Sequence, residues 1–238
     1  MKKILFVLVT ISSLTIAFAK DRHPIFATLD SSLGKEITYF SENNFFESKM
    51  EEAKVRKLFS ELSASLVFIE NIKLAKTSPL FREFFKKGAL DFLSENIKEF
   101  EWDSLLGDPL APIAMASGPD QSPSINVGFN YLKSHFSAVE KASILIHEAR
   151  HNQSVKFDHL DCPLNFPYSS SSGVPLAGEA ACEKNYNGSY GVQIIFLKNI
   201  SKFCTNCTTQ VKQTANKLAV DYLNRIINKS AQEKLLKD

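Results

Sequence analysis

The stretch ASILIHEARHNQ, from Ala142 to Gln153, constrains this chain more than any other. Five apolar or small residues run directly into His147, Glu148, Arg150 and His151. Upstream, Ser137 followed three residues later by Glu140 is a capping-box pattern, so a helix is expected to begin there. Val139, Ala142, Ile146 and Ala149 recur at the spacing of one buried helical face. A helix turns by about 100° per residue, so His147 and His151 project from one side, one turn apart, while Glu148 is rotated beside the first. The fold must therefore pack this helix against a core and still satisfy two imidazoles and a carboxylate. Histidines at this spacing can grip one ion between them, with the glutamate leaning over its open side as a general base; this is the HExxH arrangement. The bland counterpart is an ordinary helix with surface histidines. Against it, histidine is scarce: of five in the chain, His147, His151 and His159 fall within one thirteen-residue window. His23 and His135 carry no partner pattern and are read as solvated.

The 238 residues carry a formal net charge of +2, too balanced for a dedicated nucleic-acid or membrane-surface binder. Apolar residues at 44% and charged residues at 23% are ordinary for one globular domain. The first segment stands apart. A basic start, an apolar run from Ile4 and small residues at Ala17 and Ala19 read as a secretory signal peptide over residues 1–19, cleaved before Lys20. An uncleaved anchor is the alternative, but Ile4 to Ala19 is short against the roughly 20 apolar residues a bilayer requires. The expectation is one exported domain over residues 20–238, periplasmic or secreted, with no membrane contact after cleavage.

Export makes disulfides the natural reading of the four cysteines. Three pairings are possible; Cys162 with Cys182 and Cys204 with Cys207 are favoured. The CTNC pair, Cys204 and Cys207, is alternatively a redox dithiol, but it falls between two helical patterns and not at the strand-to-helix junction such motifs require.

Helical periodicity runs from about Phe46 to Ala75 through Val55, Leu58, Phe59, Leu62, Leu66 and Ile69. Ser78 as N-cap and Pro79 at the first position open a second helix, with Phe81, Phe84, Phe85, Leu90, Leu93 and Ile97 on its buried side. PIAMAS and SINVGF read as short strands joined by the turn-rich GPDQSP. Residues 155–178 read as an irregular loop, and further helices are expected near Ser189 and near Thr208. The last of these carries Val211, Ala215, Leu218, Tyr222 and Ile226 on its stripe. The fold class is α+β, predominantly helical: a helical layer over about 20–108, packed on a catalytic half over about 109–238.

The HExxH stretch resembles the zincin metallopeptidases. The chain is also similar to small exported bacterial proteins laid out as HEARH, His-x-x-Cys-Pro, Ala-Cys-acidic and Gly-Ala-Tyr-Gly, here HEARH, HLDCP, AACE and GSYG. The similarity spans roughly 144–192 and departs at Glu183, where aspartate is expected, and at Ser189, where alanine is. It implies a zincin-like catalytic half with a Zn²⁺ cofactor. A catalytic zinc needs a third protein ligand. His159, in the loop and in the HLDCP element, is the first choice. Glu183 and Glu179 are rivals, because some zincins take a downstream glutamate, and a Cys162 thiolate is a further one. If Cys162 and Cys182 are bridged, His159 and Glu183 lie together, and one can bind the ion while the other orients a ligand.

Arg150 is expected to form a salt bridge with Asp158, Asp161 or Glu183, or else to recognise a substrate carboxylate. Tyr190 is a candidate oxyanion donor. Gly188 and Gly191 are assigned to tight backbone geometry. The implied activity is hydrolysis of a peptide or protein substrate, with Glu148 as general base. By analogy with zincins the substrate lies along a sheet edge, for which SINVGF is the candidate. Two rivals remain: a zinc-binding periplasmic protein without turnover, and an exported thiol-disulfide protein using Cys204 and Cys207. Oligomeric state is not legible.

Overall fold

The structure, a computed structural model, describes residues 22–42, 48–102, 114–117, 122–132, 136–154, 157–169 and 173–238. The leader, the boundary near 108, His135 and much of GPDQSP lie outside them. The order is α1 (Pro24–Glu42), α2 (Ser48–Asn71), α3 (Pro79–Phe84), α4 (Ala89–Asn96), β1 (Glu99–Trp102), β2 (Ala114–Ala116), β3 (Ser124–Val127), a 3₁₀ turn (Phe129–Leu132) and α5 (Ala138–His151). There follow β4 (Leu160–Asp161), β5 (Ala180–Cys182), α6 (Ser189–Phe203), α7 (Thr209–Leu223) and α8 (Lys229–Lys237). The chain is α+β and mostly helical. Among the described residues no helix is long and apolar enough to cross a membrane.

The helix read from Phe46 to Ala75 ends earlier, at Asn71. Beyond it the backbone is taken up by other partners: Ala75 N–H donates to Phe203 O and Thr205 N–H to Lys73 O. Val55, Leu58, Leu62 and Leu66 are fully buried as the periodicity requires, each stabilising the fold by about 2 kcal/mol through its apolar area. The single helix expected from Pro79 through Ile97 is two. Ser78 caps α3 by accepting Phe81 N–H, but Gly88, at φ 133°, breaks the path before α4. That left-handed backbone suits glycine. The break lets the Phe85 and Phe92 rings meet edge-on at 5.0 Å.

Helices α1 and α8 and strands β1, β4 and β5 escaped the sequence reading. In α1, Ile25, Phe26, Leu29 and Ser32 are buried, and His23 opens the helix by accepting Ile25 N–H on Nδ1. His23 is half-buried, not solvated, with Nε2 3.4 Å from Asp91 Oδ1. Strand β1 pairs in parallel with β3, Phe100 opposite Ile125, while β2 pairs antiparallel with β3 on the other side. The order β1-β3-β2 places SINVGF in the middle of the sheet. The expected substrate edge therefore fails at β3, whose backbone groups are taken on both sides; among the described strands β2 is an outer one.

Helix α5 is buried almost all round, from Val139 through Ala149, and not along one stripe. It packs against α2, α4, α6, α7 and the sheet, which explains why its polar residues have partners. Lys141, 5% exposed, meets Glu61 at 2.8 Å. One apolar core runs from Ile25 to Leu235, so the N-terminal helices and the HExxH half share it. A second, small core holds Cys162, Leu176 and Cys182. The disulfides are Cys162–Cys182 and Cys204–Cys207. The second closes the turn between α6 and α7. Helix α7 stops at Leu223; Ile226 is buried beyond its end, and α8 follows.

Candidate metal centre

The Ser137 side chain accepts Glu140 N–H and starts α5 where the capping pattern requires. About three and four turns on, His147 and His151 share one face, with Nε2 atoms 3.2 Å apart. His159 approaches from the loop, its Nε2 3.1 Å from His147 Nε2. Loop and helix meet because β4 and β5 pair, Leu160 opposite Cys182, and the Cys162–Cys182 bridge locks that pairing. These three histidines form the group of metal-capable side chains among the described residues, with ligand atoms all within 4.8 Å of one another.

Each imidazole turns its other nitrogen toward an oxygen. His147 Nδ1 lies 3.0 Å from Gln193 Oε1, and Gln193 Nε2 donates to Ser143 Oγ at 3.0 Å, which fixes the amide's orientation. Ser143 Oγ donates in turn to Glu140 O. His151 Nδ1 stands 3.8 Å from Asp158 Oδ1. His159 Nδ1 is 3.4 Å from Glu183 Oε1 but forms no hydrogen bond among the described residues. An acceptor facing Nδ1 favours the Nδ1–H tautomer, which leaves the lone pair on Nε2. The Nε2 atoms of His151 and His159 then each face that of His147 at a little over 3 Å. Without an electrophile that arrangement is repulsive; a cation bound by nitrogens at about 2.0–2.1 Å brings neighbouring ligands to about this separation. The residues present fit a metal ion.

Burial supports the same protonation state. His147 is 7% exposed, and burial, then the neighbouring His151 and His159, hold its pKa well below the usual histidine range. Burial and His159 lower that of His151 to about 3. Both rings are therefore kept neutral, as ligands must be. Glu148 is 8% exposed, and burial pushes its carboxyl up to about 8, opposed by a hydrogen bond from Ala116 N–H on β2.

Glu183 and Glu179, the rival ligands, are not in the cluster. Glu183 faces the outer nitrogen of His159 and accepts Tyr190 N–H at 2.9 Å. Glu179 is exposed, and its backbone carbonyl accepts Cys162 N–H. Cys162 is committed to its disulfide. Gly188 has a steric reason: a Cβ there would lie 2.2 Å from Glu183 Oε2. At Gly191 a Cβ would lie 1.9 Å from Tyr186 O.

Arg150 makes no ion pair with Asp158, Asp161 or Glu183. Its Nε and Nη2 donate to Asn187 O at 2.9 and 2.7 Å, Nη1 donates to Gln153 Oε1, and the guanidinium stacks 3.6 Å above Phe157. A backbone carbonyl, not a carboxylate, ties the loop to α5. Burial lowers the Arg150 pKa to about 10. Tyr190 lies over the cluster, stacked on His159 at 4.6 Å and edge-on to His147 at 4.5 Å. Its hydroxyl accepts from Arg225 Nη1, and burial raises its pKa to about 12.

Gln193 and Arg225 were missed by the sequence reading. Gln193 had a signal, being the polar residue within the apolar run VQIIFL of α6. Arg225 had none; its place follows from a turn after α7 that returns beside β5. Comparison with protein-family models, with curated proteins and with solved structures returns no match for this chain.

Proposed function

We propose that this chain is an exported zinc-dependent hydrolase, a metallopeptidase of the zincin kind. The observation that carries the reading is the convergence of His151 and His159 on His147, their Nε2 atoms 3.2 and 3.1 Å from His147 Nε2 and all ligand atoms within 4.8 Å, with Glu148 next to the first ligand and facing an outer strand. Imidazole donors in a three-ligand set suit zinc with one position left for water. His147, His151 and His159 would hold the zinc, which when bound would supply Lewis acidity and lower the pKa of water toward about 7.

The chain's own groups supply the rest. Glu148 takes the proton of the attacking water and passes it to the leaving amine. Ala116 N–H keeps the carboxylate turned toward β2. Gln193 faces Nδ1 of His147 and favours its Nδ1–H tautomer. Tyr190, whose hydroxyl oxygen is engaged by Arg225, has its proton available for a developing oxyanion. The substrate edge moves from β3 to β2. Ser117 N–H bonds Ser124 O, so Ala114 and Ala116 turn their backbone groups outward, toward Glu148. A mixed sheet whose antiparallel outer strand flanks the HExxH helix is what the zincin reading expects.

A metal-storing protein without turnover has no use for a buried Glu148. The thiol-disulfide alternative is disfavoured by position: Cys204 lies at the far end of α6, about 20 Å from Tyr190 by helix rise. The test is peptide hydrolysis by the zinc-loaded mature protein. Glu148→Gln should retain zinc and lose at least about a hundredfold in kcat, whereas His159→Ala should lose tight zinc. An unchanged rate in Glu148→Gln rejects the general base, and full zinc retention in His159→Ala rejects the ligand set.

A further inference from the structure

Of the arginines near the metal centre, Arg150 has its donors committed to Asn187 and Gln153. Arg225 does not. It sits in the turn between α7 and α8, and its carbonyl accepts Glu183 N–H at 2.9 Å, while Ile227 N–H donates to Glu183 O at 2.8 Å. These bonds anchor its backbone to the residue that faces His159. Its guanidinium lies 4.8 Å from the Tyr190 ring centre and 5.7 Å from that of Tyr222, and Nη1 donates to the Tyr190 hydroxyl.

A guanidinium carries five N–H donors. Among the described residues, the Tyr190 hydroxyl is the hydrogen-bond acceptor of this side chain, and no carboxylate lies within ion-pair distance of it. Of the nearby carboxylates, Glu183 Oε1 accepts Tyr190 N–H and Glu148 accepts Ala116 N–H, while Glu183 Oε2 has no hydrogen-bond partner among the described residues. A half-buried cation with unfilled donors is unfavourable on its own. One aromatic ring separates it from the imidazole cluster, since Tyr190 touches both His147 and His159.

We infer that Arg225 is the carboxylate receptor of this site, selecting substrates that bear a carboxylate close to the bond that is cut. The inference rests on the metallopeptidase reading and adds a substrate class to it. A planar fork of donors matches a carboxylate in two-point contact, which a lysine cannot reproduce. The carboxylate can come from a chain terminus or from an acidic side chain; both present the same two oxygens.

The test is equilibrium binding to the zinc-loaded protein of three dipeptide hydroxamates, in which the hydroxamate occupies the metal. One ends in a free carboxylate, one in a carboxamide, and one in a carboxamide with a glutamate side chain. Wild type should bind at least one carboxylate form at least about tenfold more tightly than the plain carboxamide, and the form that gains identifies the source. Arg225→Gln, which can still donate to the Tyr190 hydroxyl, should bring that ratio to near one with zinc content unchanged; Arg225→Lys should restore part of it. Equal binding of all three by wild type overturns the inference and leaves the metallopeptidase reading standing, as does a preference that survives in Arg225→Gln. Failure of every hydroxamate to bind overturns both, because the metal then has no open position.

Discussion

Replacing Gln193 by leucine should weaken zinc binding by about ten- to a hundredfold although Gln193 does not touch the ion. The side chain is 1% exposed, and its Oε1 takes the His147 Nδ1 proton at 3.0 Å. Leucine fills nearly the same volume and leaves that N–H buried without a partner, which costs about 1–3 kcal/mol. Part of this cost falls equally on the metal-free protein and cancels from the affinity. The remainder does not cancel, because a bound cation draws electron density from the ring and makes the N–H a stronger donor. Loss of such an outer partner typically lowers affinity by about 10–100-fold. Zinc titration of metal-stripped protein against a chromogenic chelator measures it, with Gln193→Glu as a control that keeps the acceptor. A dissociation constant for Gln193→Leu within twofold of wild type, in a protein with an unchanged circular dichroism spectrum, would refute the idea that this amide sets the His147 tautomer.

Three further outcomes are expected. The Cys162→Ser/Cys182→Ser protein opens a bridge between residues 20 apart in sequence and should lose about 3 kcal/mol in urea unfolding, together with most of the zinc affinity that depends on His159; full affinity in the reduced protein would show that the loop is held by other contacts. Gly188→Ala drives a methyl into Glu183 and should cost about 1–3 kcal/mol, with a lower melting temperature and weaker zinc binding; an unchanged melting curve would contradict the close approach. In the metal-free protein, the folded chain keeps a proton on Glu148 up to about pH 8, whereas the unfolded chain releases it near 4.5. Stability should therefore fall as pH rises from about 4.5 to 8, and be lowest above that window, relative to Glu148→Gln. Parallel stability profiles for the two proteins would reject a buried Glu148.

What the sequence determined by itself was local. Ser137 and Glu140 mark the start of α5, a spacing of four places His147 and His151 on one side of it, and Ser78-Pro79 opens α3. Such features depend on residues within one or two turns, where backbone geometry alone sets direction. Sequence left three cysteine pairings open, and the favoured one is the one the structure forms. The limits of the first long helix, the Gly88 break and the burial of α5 on every side were not, because they depend on what packs against them.

Tertiary structure decided the chemistry around the ion. Only the β4–β5 pairing brings His159 to α5 beside His147 and His151, while Glu183 and Glu179 stay outside that cluster. Only the strand order reveals that SINVGF is interior and that Ala116 meets Glu148. Arg150 exchanges its expected carboxylate partner for the Asn187 carbonyl for the same reason. A side chain's charge is written in the sequence, but whether that charge meets a carbonyl, a phenol or nothing depends on segments far apart in the chain, joined by packing and a disulfide.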